Sequence, residues 1–112
     1  MFALDHVAIQ TTDIPATAEF YVRQFGAEIL YQDKTWAFLR LGQGKLALVQ
    51  PTQHPAHVAL RATLEDLQAA AARHSLAVTT HRDGTQGIYL SDPAGNVLEL
   101  IYYPPDYAAF AP

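Results

Sequence analysis

Apolar and polar positions along this chain change period several times, and each change marks an element. Residues 4–10 mix β-branched and apolar side chains and predict a strand. Ile14, Ala18, Tyr21, Val22 and Phe25 then recur at helical spacing, which predicts one buried helix face. Asp13 is placed to cap that helix, Pro15 is tolerated in its first turn, and Gly26 stops it. Three short strands follow, at 27–31, 36–41 and 45–50, separated by Asp33-Lys34 and by Gly42-Gln43-Gly44. The second half runs in the same order. A strand at 56–61 leads to the capping-box-like Thr63-Leu64-Glu65-Asp66, and an alanine-rich helix extends to Arg73. Strands at 76–80, 87–90 and 97–102 complete the half, with Asp92-Pro93-Ala94-Gly95-Asn96 as the turn between the last two.

The two halves are related by more than element order. A shift of 51 positions lays His6-Val7-Ala8-Ile9 on His57-Val58-Ala59-Leu60 without a gap. The same shift lays Ala18 on Ala69, Phe38-Leu39 on Tyr89-Leu90, Gly44 on Gly95, Leu46 on Val97, and Val49 on Leu100. Unrelated segments have no reason to keep one offset, so the chain reads as a single domain of two βαβββ modules. Module one covers 1–51 and module two 52–103; the aperiodic, Pro- and Tyr-containing tail, 104–112, is expected over the surface. The class is α+β, two tandem modules forming one mixed sheet.

Composition removes several chemistries. The 112 residues include no cysteine, which excludes a disulfide scaffold, a thiolate zinc site, an iron–sulfur cluster and a cysteine nucleophile. Half the residues are hydrophobic and 16% are charged, so disorder is not expected. Net charge is -4 and the seven Lys and Arg are scattered, so nucleic acid is not an expected partner. No apolar run approaches the ~18 residues of a membrane span. The first residues lack a basic, then apolar, export pattern, and the expected location is the cytoplasm.

Three side chains stand out against this background. The repeat makes His6 and His57 equivalent, each inside an apolar strand where an imidazole needs a hydrogen-bond partner or a metal. One such histidine is ordinarily a satisfied core residue. Two brought together by a pseudo-twofold are what a divalent ion binds. Glu99 sits in Val97-Leu98-Glu99-Leu100-Ile101, and alternation places it on one face with two aliphatics, a costly position for a lone charge. Two His and one Glu from separate strands form a facial set that leaves coordination positions open. At the same offset the mate of Glu99 is Leu48, which binds no metal. Gln50, two positions on, could reach a metal-bound water or serve as a polar pocket residue, the preferred reading.

These residues resemble the vicinal oxygen chelate superfamily of glyoxalases, bleomycin-resistance proteins and extradiol dioxygenases. The carrying segments are Asp5-His6-Val7, Phe20-Tyr21, Phe25-Gly26-Ala27 and His57-Val58-Ala59. The terminal run from Tyr89 through Asp92-Pro93-Ala94-Gly95-Asn96 to Glu99-Leu100 completes them, and the likeness spans residues 4–103. The resemblance implies a cupped mixed sheet around one divalent metal (Fe, Mn, Ni, Co or Zn) held by His6, His57 and Glu99. It also implies a small substrate bound through two neighbouring oxygens, and a homodimer, to which Tyr102, Tyr103, Tyr107 and Phe110 could contribute unless they cap the sheet edge.

Departures from the family narrow the activity. Lactoylglutathione lyase carries a Glu where Leu48 is expected to stand, so that activity is not expected. Thiol transferases acting on fosfomycin follow the first His with a Thr where this chain has Ala8. Most extradiol dioxygenases are much longer. Tyr89 is either an acid/base or substrate-orienting hydroxyl or, like its mate Phe38, a core aromatic. Trp36 and Phe38 are expected to line or pack the cup, and Arg82 to hold an anionic substrate group. His81 reads as a solvated hairpin tip, and His54 and His74 as surface imidazoles. The expected function is metal-dependent lyase, isomerase, epimerase or oxygenase chemistry. The alternative is a bleomycin-resistance-type protein that sequesters a small molecule without chemistry.

Overall fold

The structure, a computed structural model, describes residues 1–107. Its order is β1 (Ala3–Gln10), α1 (Ile14–Phe25), β2 (Glu28–Gln32), β3 (Trp36–Leu41), β4 (Gly44–Val49), β5 (His57–Arg61), α2 (Leu64–Arg73), β6 (Thr79–Thr80), β7 (Gln86–Ser91) and β8 (Val97–Tyr102). This is βαβββ twice, an α+β fold. Backbone contacts divide the chain into two compact units: His6–His57 forms one, and Met1–Asp5 joins the chain from Val58 on in the other. By these contacts the first five residues group with the second unit, although β1 opens the first βαβββ in chain order.

In the His6–His57 unit, β1 pairs parallel to β4, and β4–β3 and β3–β2 are antiparallel. The α1 helix starts where the Asp13 carboxylate accepts the Ala16 N–H at 3.1 Å, and ends at Gly26, whose φ of 71° is the left-handed cap. Its apolar stripe, Ile14 and Ala18, closes on Ala37, Leu39 and Leu48. Alternation sends Phe38, Ala47 and Val49 to the opposite face of these strands.

The other unit repeats the scheme, with β5–β8 parallel and β8–β7 and β7–β6 antiparallel. Thr63 caps α2 by accepting the Asp66 N–H at 3.1 Å, and Leu67, Ala70 and Ala71 pack on Ile88 and Leu100. The expected strand at 76–80 shrinks to Thr79–Thr80. Ser75, at φ 55°, and Leu76, whose N–H reaches the Ala71 carbonyl at 2.9 Å, are consumed in the helix C-terminal turn. Of the tail's described residues, 105–106 are exposed, and half-buried Tyr107 packs against the cluster of Ala59, Ile101 and Tyr103. Phe110 lies outside the described residues.

Strand register corrects the gap-free repeat. Phe38 pairs with Ala47, whereas its mate Tyr89 pairs with Glu99. Val7 pairs with Leu46, whereas Val58 pairs with Leu98. The last strands are therefore related by a shift of 52, from Ala47 to Glu99, while β1–β5 and β3–β7 keep 51; the helices do not, since their caps Asp13 and Thr63 are 50 apart. One extra residue sits in the final hairpin, because the Asp92 carboxylate accepts the backbone N–H groups of Ala94 (2.9 Å) and Asn96 (2.8 Å) and builds a longer turn than Gly42-Gln43. The counterpart of Glu99 is Ala47, not Leu48, which lies fully buried beneath α1. Neither can bind a metal, so the missing fourth carboxylate stays missing.

Candidate metal and substrate site

The open face of the His6–His57 unit, away from α1, is where its histidines meet. Strand β1 alternates, so Ile9 goes to the α1 core while His6 and Ala8 take the other side. The His6 ring stands edge-on to Phe38, centroids 5.4 Å apart, and 5.7 Å from the His57 ring. Both imidazoles are buried. The His57 Nδ1 lies 2.7 Å from the Pro55 carbonyl oxygen. A carbonyl only accepts, so Nδ1 is the donor; in the neutral ring this leaves the lone pair on Nε2, the tautomer a metal-ligating imidazole adopts. Beside this pair, Phe38 contacts Trp36 at 5.9 Å and Trp36 stacks on Tyr31 at 4.9 Å. Lys45 Nζ lies 5.5 Å from the Phe38 ring centroid.

The turn that starts this aromatic wall is held by one carboxylate. Asp33 Oδ1 accepts the Thr35 N–H (2.7 Å), the Thr35 hydroxyl (2.8 Å) and the Trp36 N–H (3.0 Å), and Oδ2 accepts the Tyr31 hydroxyl (2.6 Å). Burial on its own would raise the Asp33 pKa, but these bonds to the charged form win and hold it well below 3.8. A depressed carboxyl contributes stability above its unfolded pKa, and that stability is lost as pH falls through the folded one. Urea midpoints measured from about pH 5 down to about pH 2 should therefore fall more steeply for the wild type than for Asp33→Asn. Parallel curves would remove Asp33 from the acid limb.

In the other unit, Glu99 is 3% exposed and stands on the face of β8 turned away from α2. Its Oε2 lies 2.8 Å from His81 Nε2. That bond raises the His81 pKa above 6.5 against burial, which lowers it, with the Glu99 charge adding to the rise. Reading His81 as a solvated hairpin tip is thus corrected. The ring folds inward because its turn is closed by His81 N–H to the Thr85 carbonyl (2.8 Å) and Gly84 N–H to the His81 carbonyl (3.0 Å). Nothing in the repeat flagged it: the position 51 residues earlier is Leu30. Tyr89 is half-buried directly opposite Glu99 on β7. Burial, then the Glu99 charge, push its phenol well above 10.0, so at neutral pH it carries its proton.

The structure therefore gathers His6, His57, Phe38 and Trp36 in one unit, and Glu99, Tyr89 and His81 in the other. Arg82 is exposed on the β6–β7 turn. Gln50 follows β4, where its amide donates to the Lys34 carbonyl at 3.4 Å. Among the described residues no helix is long and apolar enough to cross a membrane.

Known structures share this architecture. A hypothetical protein of Bacillus halodurans, 18% identical, superposes with a TM-score of 0.75 over 94% of this chain and 96% of its own. A variant of Streptomyces coelicolor methylmalonyl-CoA epimerase, in complex with 2-nitronate-propionyl-CoA, is 23% identical with a TM-score of 0.72, over 92% and 95% of the two chains. A glyoxalase/bleomycin resistance protein/dioxygenase superfamily member of Vibrio splendidus, 14% identical, gives 0.67 over 92% and 100%. At these identities the likeness is one of fold. No curated protein matches the sequence. The family comparison is decisive, since its match covers residues 3–100: the chain belongs to the Glyoxalase/Bleomycin resistance protein/Dioxygenase superfamily.

Proposed function

We propose that the protein is a divalent-metal-dependent enzyme acting on a small, oxygen-rich substrate held through two neighbouring oxygens. His6, His57 and Glu99 are assigned as the ligands, each buried and each offering one ligand atom. The observation that carries the reading is the His6–His57 pair, with the His57 tautomer set by Pro55 so that Nε2 holds the lone pair. Two imidazoles and a carboxylate suit Fe(II), Mn(II), Ni(II), Co(II) or Zn(II). A cation there would supply Lewis-acid stabilisation of an enolate or oxyanion formed on the substrate, in lyase, isomerase, epimerase or oxygenase chemistry.

The chain's own residues supply the rest. Tyr89, kept protonated, donates a hydrogen bond that orients the substrate. Phe38 and Trp36 form an apolar wall that excludes water, while Arg82 meets an anionic substrate group at the rim. Gln50 is assigned as a polar substrate-binding residue. A cytoplasmic homodimer is the form in which we expect it to work.

Metal content after purification without chelator tests the reading. Wild type should carry metal near stoichiometry, and Glu99→Gln and His57→Ala should each lose it. A wild type that takes up none of Mn(II), Fe(II), Ni(II) or Zn(II) overturns it. His6, Phe38 and Trp36 would then be the lining of a cleft that sequesters a small molecule without chemistry.

A further inference from the structure

We infer that His81 is a positioning residue for Glu99, engaging Oε2 so that Oε1 is the oxygen presented to a cation; this rests on the metal-centre reading above. A carboxylate turns easily about its last torsion, and a ligand that turns loses affinity unless an outer partner holds it. His81 Nε2 at 2.8 Å from Oε2 is such a partner, and the carboxylate it meets is 3% exposed.

Two features show that the contact is built into the fold. First, the turn bearing His81 is tightly specified. Asp83 Oδ1 accepts the Thr85 N–H (3.0 Å) and the Thr85 hydroxyl (2.7 Å), Gly84 takes φ 91°, and the Tyr107 hydroxyl donates to Asp83 Oδ2 at 3.1 Å. Second, the strand passing beneath the pair carries glycine at the crossing point. A Cβ on Gly87 would lie 2.9 Å from Glu99 Oε2 and 3.1 Å from His81 Nε2, so only glycine leaves both groups room. A charge pair serving stability alone has no need of a buried carboxylate in mid-strand, where desolvation offsets much of the attraction.

Co(II) titration of the metal-free protein, by calorimetry and visible absorption, tests this with His81→Gln, which keeps an N–H donor, and His81→Phe, which keeps ring volume and loses it. Thermal melts of the metal-free variants report folding independently. His81→Phe should bind Co(II) about 10–100-fold more weakly with an altered spectrum, the range typical of outer-shell losses. His81→Gln should bind within a few-fold of wild type with the wild-type spectrum. Wild-type affinity in His81→Phe overturns the positioning role alone. Tighter binding there also overturns it, since His81 would then compete with the cation. A wild type that binds no metal overturns the centre, and the positioning role with it.

Discussion

Leu48→Glu should abolish folding, while Ala47→Glu, one residue earlier, should leave a folded protein that gains affinity for metal. Leu48 is fully buried between β4 and α1, packed with Ile14, Ala18 and Leu39. Removing a buried Leu side chain costs about 2–5 kcal/mol, and an unpaired buried carboxylate adds several more. Together these reach the whole stability of a typical domain, about 5–15 kcal/mol. Ala47 is on the other face, opposite Phe38 and beside Ala8, where register makes it the counterpart of Glu99. Without metal, Ala47→Glu should be less stable than wild type, because the new carboxylate has no designed partner. With Mn(II) or Co(II) present the order should reverse as a fourth ligand is recruited. Urea denaturation with and without metal reads both effects. A folded Leu48→Glu with raised metal affinity would return the equivalence to Leu48 and discard the extra residue in the last hairpin.

Gly87→Ala should cost about 1–3 kcal/mol, the usual range for overpacking, and weaken metal binding at the same time. The added Cβ would lie 2.9 Å from the Leu100 carbonyl oxygen as well as from Glu99 Oε2. The carbonyl belongs to the β7–β8 region and cannot step aside cheaply, so the Glu99 carboxylate and the His81 ring must move. Gly44→Ala is the control, since its Cβ would meet only the Leu41 carbonyl oxygen, at an ordinary 3.6 Å. Thermal melts and Co(II) titration of the two variants should separate cleanly. A Gly87→Ala protein as stable as Gly44→Ala, with unchanged metal affinity, would mean the strand accommodates a side chain there.

Most of the element order was legible from periodicity. The α1 stripe from Ile14 to Val22, its Asp13 cap and its Gly26 stop follow from side-chain spacing and local hydrogen bonding, although Phe25, expected on the same buried face, is exposed. Thr63 and α2 follow in the same way, and so does the face alternation of β8, which sets Glu99 apart from Leu98 and Leu100. Short strands next to helix ends were less legible. Apolar Leu76, Ala77 and Val78 resemble a strand, but 75–76 close the α2 C-terminus, a competition between two local hydrogen-bond patterns that composition does not resolve.

His81 was not legible at all. It has no mate in the repeat, and its neighbours Arg82, Asp83 and Gly84 read as solvent-facing turn residues. Its inward direction depends on the Asp83–Thr85 bonds and on space left by Gly87, which strand pairing, and no sequence pattern, brings beside Glu99. The register of the last hairpin was misread for a related reason. Matching apolar residues at offset 51 or 52 look alike in a strand, since one-residue slips exchange faces and only the paired neighbour says which face is covered.

By itself, the sequence determined what local chemistry controls: the α+β class, the doubled βαβββ order, the helix ends, and the two histidines and one glutamate worth watching. Tertiary structure alone decided that Ala47 rather than Leu48 answers Glu99, that Pro55 sets the His57 tautomer, and that His81 reaches the buried carboxylate. Those are contacts between atoms whose meeting depends on strand register and turn closure, and neither leaves a periodic trace in the order of residues.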